Sequence, residues 1–274
     1  MSKKKHKRRY KLTAMGKVVV SLSCVVLILI IALIWFLFKP NNPTEIPSPT
    51  ATPSASIAPN ATDDSVATQQ PITYDTTTPD SLTVIANKKH NLGDYAPSDL
   101  VDVSHSGSSG VQQMRQEAAS ALEELLSAAN NDGVTLYSQS GYRSYQTQDG
   151  LYQNYANRDG VAAADKYSSR PGYSDHQTGL AMDIMGENTR MNASNRSDCP
   201  IEQCEGSPAA LWLADNADTF GFILRYPQGK EEITGYVSEW WHYRYVGKEL
   251  APKIKESGLT LEEYFNVEGG DYNQ

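Results

Sequence analysis

The sequence predicts an α+β fold, one compact domain with a central antiparallel sheet flanked by helices, behind an N-terminal transmembrane helix and a disordered linker. Three observations carry this expectation. A long uncharged apolar run lies near the start of the 274-residue chain, and a stretch rich in Pro, Thr, Ser and Ala follows it. The remainder mixes helix-period and strand-type segments without the strand–helix alternation of a parallel sheet.

Residues 1–17 carry Lys3, Lys4, Lys5, Lys7, Arg8, Arg9, Lys11 and Lys17 and no acid, so they read as a basic cytoplasmic arm. Residues 18–38 hold no charge before Lys39 and Pro40. At about 1.5 Å per helical residue this run spans the roughly 30 Å of a bilayer core. A secretory signal peptide has a shorter apolar region, about 7–15 residues, and a small-residue cleavage site. Here bulky Trp35, Phe36, Leu37 and Phe38 end the run, which favours an uncleaved signal anchor. The positive-inside rule then sends everything after residue 39 outside the cell. Residues 39–80 offer almost nothing large and apolar to bury, so a disordered tether is expected there.

Residues 81–274 have the size of one domain with its own core. Beyond residue 39 the chain holds 15 Lys and Arg against all 32 acids, a net charge of −17, which excludes a nucleic-acid partner. Cys24 lies in the apolar run, whereas Cys199 and Cys204 sit close together outside it. In an oxidising compartment those two are expected to close a small disulfide loop.

Along this region, residues 111–129 place Met114, Ala118, Ala121, Leu122 and Leu125 at helical spacing, and Asn130-Asn131-Asp132-Gly133 stops the pattern. Residues 134–138 read as a strand that leads into Ser140-Gly141-Tyr142-Arg143-Ser144, putting Arg143 at a strand exit. Ser207 and Pro208 form a cap and first-turn pair for a helix to Ala217, and Gly221 precedes a strand over 222–226. A last strand is expected over 236–246 and a short closing helix over 261–265.

The chemistry concentrates in two blocks. In the first, Ser174-Asp175-His176 and Gly179 lead into Leu180-Ala181-Met182-Asp183-Ile184-Met185. Taken alone, His176 reads as an ordinary loop residue. Asp183 in an apolar run needs a partner, either a metal or an arginine. The second block is Glu239-Trp240-Trp241-His242. Two neutral imidazoles and a carboxylate, His176, Asp183 and His242, match the ligand set of a catalytic zinc, with Glu239 placed to activate a water held on the metal. Positions three apart on a strand point to opposite faces, so Glu239 has to lie at a bend or strand start. Arg143 is suited to bidentate capture of a carboxylate or to stabilising an oxyanion. Gln148 and Ser174 offer neutral hydrogen bonds, and Trp241 is close enough to shape the pocket. His90 and His105 read as surface residues.

These motifs, Ser-Gly-Tyr-Arg-Ser with Gln148, Ser174-x-His176-x-x-Gly179-x-Ala181-x-Asp183 and Glu239-x-x-His242, resemble the VanY-type D-alanyl-D-alanine carboxypeptidases, the M15 zinc peptidases of bacterial cell walls. The resemblance runs over about residues 80–265. It implies zinc on His176, Asp183 and His242, Glu239 as catalytic base, Arg143 on the substrate, and removal of the terminal D-alanine from peptidoglycan stem peptides outside the bacterial membrane. Asp175 stands where a glutamate is more usual and Trp240 where a proline is common. Three other activities stay open on sequence: an L,D-carboxypeptidase acting on tetrapeptides, an endopeptidase, and a non-catalytic zinc-containing wall-binding module. The base at Glu239 argues against the last of these.

Overall fold

The structure, a computed structural model, describes residues 73–103, 110–186 and 204–272. The expected arm, membrane helix, most of the linker, His105 and Cys199 fall outside the described residues. Among the described residues no helix is long and apolar enough to cross a membrane.

The chain is built on a four-stranded antiparallel sheet of order β3-β4-β6-β5, formed by β3 (Leu136–Ser140), β4 (Ala181–Gly186), β5 (Phe222–Leu224) and β6 (His242–Tyr245). A separate antiparallel pair joins β1 (Leu100–Val103) to β2 (Gln112–Arg115). Every residue of β4 is buried, which is why it reads as a continuous apolar run with one carboxylate in it. Side chains alternate faces along a strand. Met182 and Ile184, with Tyr243 and Tyr245, therefore join the main core on one face. Asp183, His242 and Arg244 share the other.

Helix α1 (Gln116–Asn131) covers the core face with Ala118, Leu122, Leu125, Leu126 and Ala129. Burying each large side chain of this kind contributes about 1.5–3 kcal/mol. The sequence placed the helix start at residue 111, but residues 112–115 form β2 instead. Their backbone groups are taken by neighbours: the Arg115 amide donates to Gly179 O at 2.8 Å and Gln113 O accepts from the Tyr142 amide at 2.7 Å. Strand pairing outcompetes a helical period that continues unbroken through the segment.

Two further helices, over 208–216 and 261–265, follow their predicted bounds closely, and a third, over 251–257, was not expected. In α4 (Pro208–Asn216) the Ser207 side chain accepts from the Ala210 amide, and a 3-10 turn over Ala217–Phe220 continues it. Helix α7 (Leu261–Phe265) starts with a capping box between Thr260 and Glu263, just after α6 (Ala251–Ser257). Helix α2 (Tyr145–Asp159) was not expected; it buries only Gln148 and so has no apolar stripe to detect. The short helices α3 (Val161–Ala164) and α5 (Glu231–Thr234) lie in connections.

Other boundaries shift as well. The expected last strand shortens to β6 because the chain before it turns: the Glu239 amide donates to Tyr226 O at 3.0 Å and the His242 amide to Glu239 O at 3.1 Å. The domain also starts before residue 81. Tyr74 packs its ring 5.1 Å from that of Phe265, and Asp75 Oδ1 accepts from the amides of Thr77 and Thr78. Asp75 O accepts from the hydroxyls of Ser81 and Thr83, so the end of the supposed linker is bonded into the domain.

Candidate active site

The sheet register assembles the site. Asp183 on β4 lies directly opposite His242 on β6 and opposite Ser140 at the end of β3, where the ladder is irregular between Ser138 and Ser140. Just beyond β3, Gly141 runs so close to β2 that a Cβ there would fall 2.4 Å from Gln113 O and 2.9 Å from Met182 Cε. Only glycine fits. That close passage aims the Gly141 carbonyl at His176, whose Nδ1 donates to it at 2.8 Å. His176 itself rides on a 3-10 turn, Asp175–Thr178, closed by Gly179 in the left-handed conformation.

With its Nδ1 proton given to Gly141, His176 presents the Nε2 lone pair inward. In the neutral ring, a donation from His242 Nε2 to Asp175 Oδ2, 3.4 Å away, leaves Nδ1 as the lone pair that faces Asp183. Asp183 Oδ1 lies 3.4 Å from His176 Nε2 and 3.5 Å from His242 Nδ1. Tetrahedral ligation at bond lengths of about 2.0–2.1 Å separates ligand atoms by about 3.4 Å. The three ligand atoms all fall within 4.8 Å of one another.

The buried His176 Nε2 and Asp183 Oδ1 have no hydrogen-bond partner, an arrangement that is costly unless something positive joins them. The electrostatics agree. Burial, reinforced by the charge of Arg143, pushes His176 down to about 4, so it stays neutral. Burial alone would raise the Asp183 carboxyl, yet His176, His242 and Arg143 hold it well below the usual carboxylate range. Burial likewise disfavours a charged His242, but Asp175, Glu239 and Asp183 overcome it and raise it to about 9. The residues around this point favour one positive charge there, and a divalent cation fits the donor set.

Glu239 and Arg143 complete the site. The Glu239 carboxylate Oε2 lies 3.4 Å from His242 Nδ1, brought round by the turn that the three-residue spacing required. Arg143 and Ser174 line the same small cavity, as do Ser168, Ser169, Tyr226 and Tyr236. Tyr226 also packs its ring edge-on against His242, 4.7 Å between centroids. Sequence reading had not singled out Ser168, Ser169 or Tyr226; Tyr226 ends a strand-like segment that looks like plain core.

Two expected substrate contacts sit elsewhere. Gln148 stands one layer back, its amide donating to Ser169 O at 2.6 Å, so it braces the wall of the cavity instead of lining it. Trp241 is not in the cavity wall; it packs 5.8 Å from Trp240, beside Met185, Cys204 and Ala210, because the turn at Glu239 swings it away. Cys204 is buried and disulfide-bonded, while its expected partner lies outside the described residues.

Paired strands bring Asp183 to His242, the adjoining turn adds His176, and Glu239 stands beside them; this arrangement fits a metal-dependent hydrolase. The family described as VanY: D-alanyl-D-alanine carboxypeptidase matches residues 111–248, and the chain belongs to that family. It is 43% identical over 193 residues to YodJ of Bacillus subtilis, with 68% of each chain covered. It is 39% identical over 156 residues to a D-alanyl-D-alanine carboxypeptidase of Enterococcus faecalis, covering 54% of this chain and 53% of that one. Among solved structures, the LdcB LD-carboxypeptidase shares 41% identity at a TM-score of 0.61, covering 70% of this chain and 89% of the other. VanYB in complex with D-alanine-D-alanine shares 33% identity at a TM-score of 0.55, covering 67% and 97%. A related vancomycin-resistance D,D-pentapeptidase, a VanY variant, was solved with Zn(II).

Proposed function

We propose that this protein is a zinc D-alanyl-D-alanine carboxypeptidase that removes the terminal D-alanine from peptidoglycan stem peptides. Family membership supports the substrate class, and the placement of Glu239 Oε2 3.4 Å from a ligand nitrogen carries the chemistry. His176 Nε2, Asp183 Oδ1 and His242 Nδ1 hold the zinc, which lowers the pKa of water and polarises the scissile carbonyl. Glu239 takes the proton of the attacking water and returns it to the leaving amine. Arg143 faces the same cavity with a fixed positive charge, suited to the terminal carboxylate of the substrate or to the oxyanion. An exopeptidase needs such a reader of the chain end.

A second reading is L,D-carboxypeptidase activity on tetrapeptide stems, favoured by the identity of 41% with the LdcB LD-carboxypeptidase against 33% with VanYB. The two differ in the chirality of the residue before the scissile bond. The full chain, loaded with zinc, is incubated with synthetic pentapeptide and tetrapeptide muropeptides, and products are weighed by mass spectrometry. Loss of alanine from the pentapeptide alone fits the first reading, and loss from the tetrapeptide moves the enzyme to the second. No loss from either sinks both.

The same proposal places the domain outside a bacterial cell membrane, anchored by residues 18–38. Its support is the uncharged run behind a basic arm, and a disulfide at Cys204, with Cys199 as the proposed partner, suits such an oxidising compartment. Protease added to intact spheroplasts should remove the domain and spare the arm.

A further inference from the structure

Behind His242 lies a cluster of four ionisable side chains that the hydrolytic steps do not use. Asp175, Arg225, Arg244 and Glu262 are each 2% exposed or less. Asp175 Oδ1 accepts from Arg244, and its Oδ2 lies 4.0 Å from Arg225 Nε. Arg225 forks onto Glu262 with contacts of 2.9 and 2.6 Å, and Glu262 Oε1 also accepts from Asn87 at 3.0 Å. Two positive and two negative charges balance in the interior, but a buried set of this kind is a poor source of stability. Apolar residues of similar volume often serve a fold as well or better.

The arrangement suits a different task. Arg244 cannot swing, because its remaining nitrogens are taken by backbone carbonyls: Nε by Tyr245 O at 3.0 Å, and the other terminal nitrogen by Leu82 O at 3.0 Å and Val84 O at 2.7 Å. A fixed guanidinium pins Asp175 Oδ1, and that leaves Oδ2 facing His242 Nε2. Asp175 directly precedes the ligand His176 on the same 3-10 turn, so one turn supplies a metal ligand and the partner of the other imidazole.

Resting on the zinc reading above, we infer that Asp175, locked by Arg244, is the positioning residue that keeps the His242 proton on Nε2 and so presents Nδ1 to the metal. Partners of ligating histidines commonly set the tautomer in this way, and their loss lowers metal affinity about 10–100-fold. An amide at position 175 should reverse the arrangement. Its oxygen would turn toward the Arg244 donors and its NH2 toward His242 Nε2, which must then accept and carry its proton on Nδ1, the ligand atom.

The test uses the full chain labelled with 15N-histidine, and no substrate. Two-bond 1H–15N correlations on the zinc-loaded wild type should show one ligand imidazole bound through Nε2 with its proton on Nδ1, and one bound through Nδ1 with its proton on Nε2. Two imidazoles bound through the same type of nitrogen would overturn the inference, whatever the variants do. In chelator competition Asp175→Asn should weaken zinc binding about 10–100-fold, and Asp175→Glu, which restores the acceptor, should recover most of it. Asp175→Asn binding zinc as tightly as wild type would also overturn it. Should Asp175→Asn fail to fold, the wild-type spectrum decides alone. Peptidase activity enters neither readout, so failure of the carboxypeptidase reading and failure of this one are separable.

Discussion

The backbone amide of Arg143 donates to the carbonyl of His176 at 3.3 Å, so the cation that lines the cavity and a candidate metal ligand are tied by one hydrogen bond between main chains. Replacing the side chain leaves that bond in place. Arg143→Ala should therefore keep its zinc while kcat/KM on peptides with a free C-terminal carboxylate falls about 10²–10³-fold, the scale of losing one aimed donor. Equal rates for wild type and variant would remove Arg143 from the reaction.

Glu239→Gln keeps all three ligand side chains and the backbone turn that leads into His242. Zinc content measured by atomic absorption should match wild type, while kcat drops by about 10²–10⁴ because no carboxylate is left to move the proton. A variant that turns over normally would assign the base elsewhere.

At Gly141 the constraint is steric. Gly141→Ala would drive a methyl into Gln113 O and Met182 Cε, forcing β2 and the end of β3 apart at a cost of about 1–3 kcal/mol. The Gly141 carbonyl that fixes His176 moves with them, so zinc affinity should fall along with the denaturation midpoint. A midpoint unchanged from wild type would show that the strands yield freely.

Glu262 gives a pH dependence. Burial raises its carboxyl, but Arg225 and Asn87 outweigh this and lower it below its ordinary value. A depressed folded-state value contributes stability above the unfolded value, near pH 4.3, and loses it as pH falls through the folded one. Glu262→Gln strands Arg225 and should cost about 3–5 kcal/mol at pH 7. Urea unfolding from pH 7 to 3 should show the two stabilities converging in acid. A constant gap would mean that the pair does not titrate as a unit.

Much of the site was legible because its chemistry contradicts its surroundings. Asp183 in a run of apolar residues demanded a partner, and it stands between His176 and His242; Glu239 three residues from His242 demanded a turn, and the chain turns there. Arg225, within the strand-like Phe222-Ile223-Leu224-Arg225-Tyr226, carried the same signal without its partner, since Glu262 arrives from a distant helix. What stayed hidden had little local signature. Helix α2 buries a single glutamine and so lacks periodicity, and β2 continues a helical apolar pattern that only its neighbours' hydrogen bonds override. Trp241 and Gln148 were near the motifs in sequence but are turned or set back in space. Proximity along the chain does not fix orientation.

The opposition of Asp183 and His242 across β4 and β6 has a kinetic meaning. A slip of one residue would set Trp241 or Tyr243 beside Asp183 and turn alternate side chains to the wrong face. The ion therefore finds its cradle only in chains whose strands have already closed in the correct alignment. Zinc that binds only the aligned strands should act chiefly on the native state. Its signature is a longer lifetime of the finished molecule, a slower unfolding limb with an unaltered refolding limb.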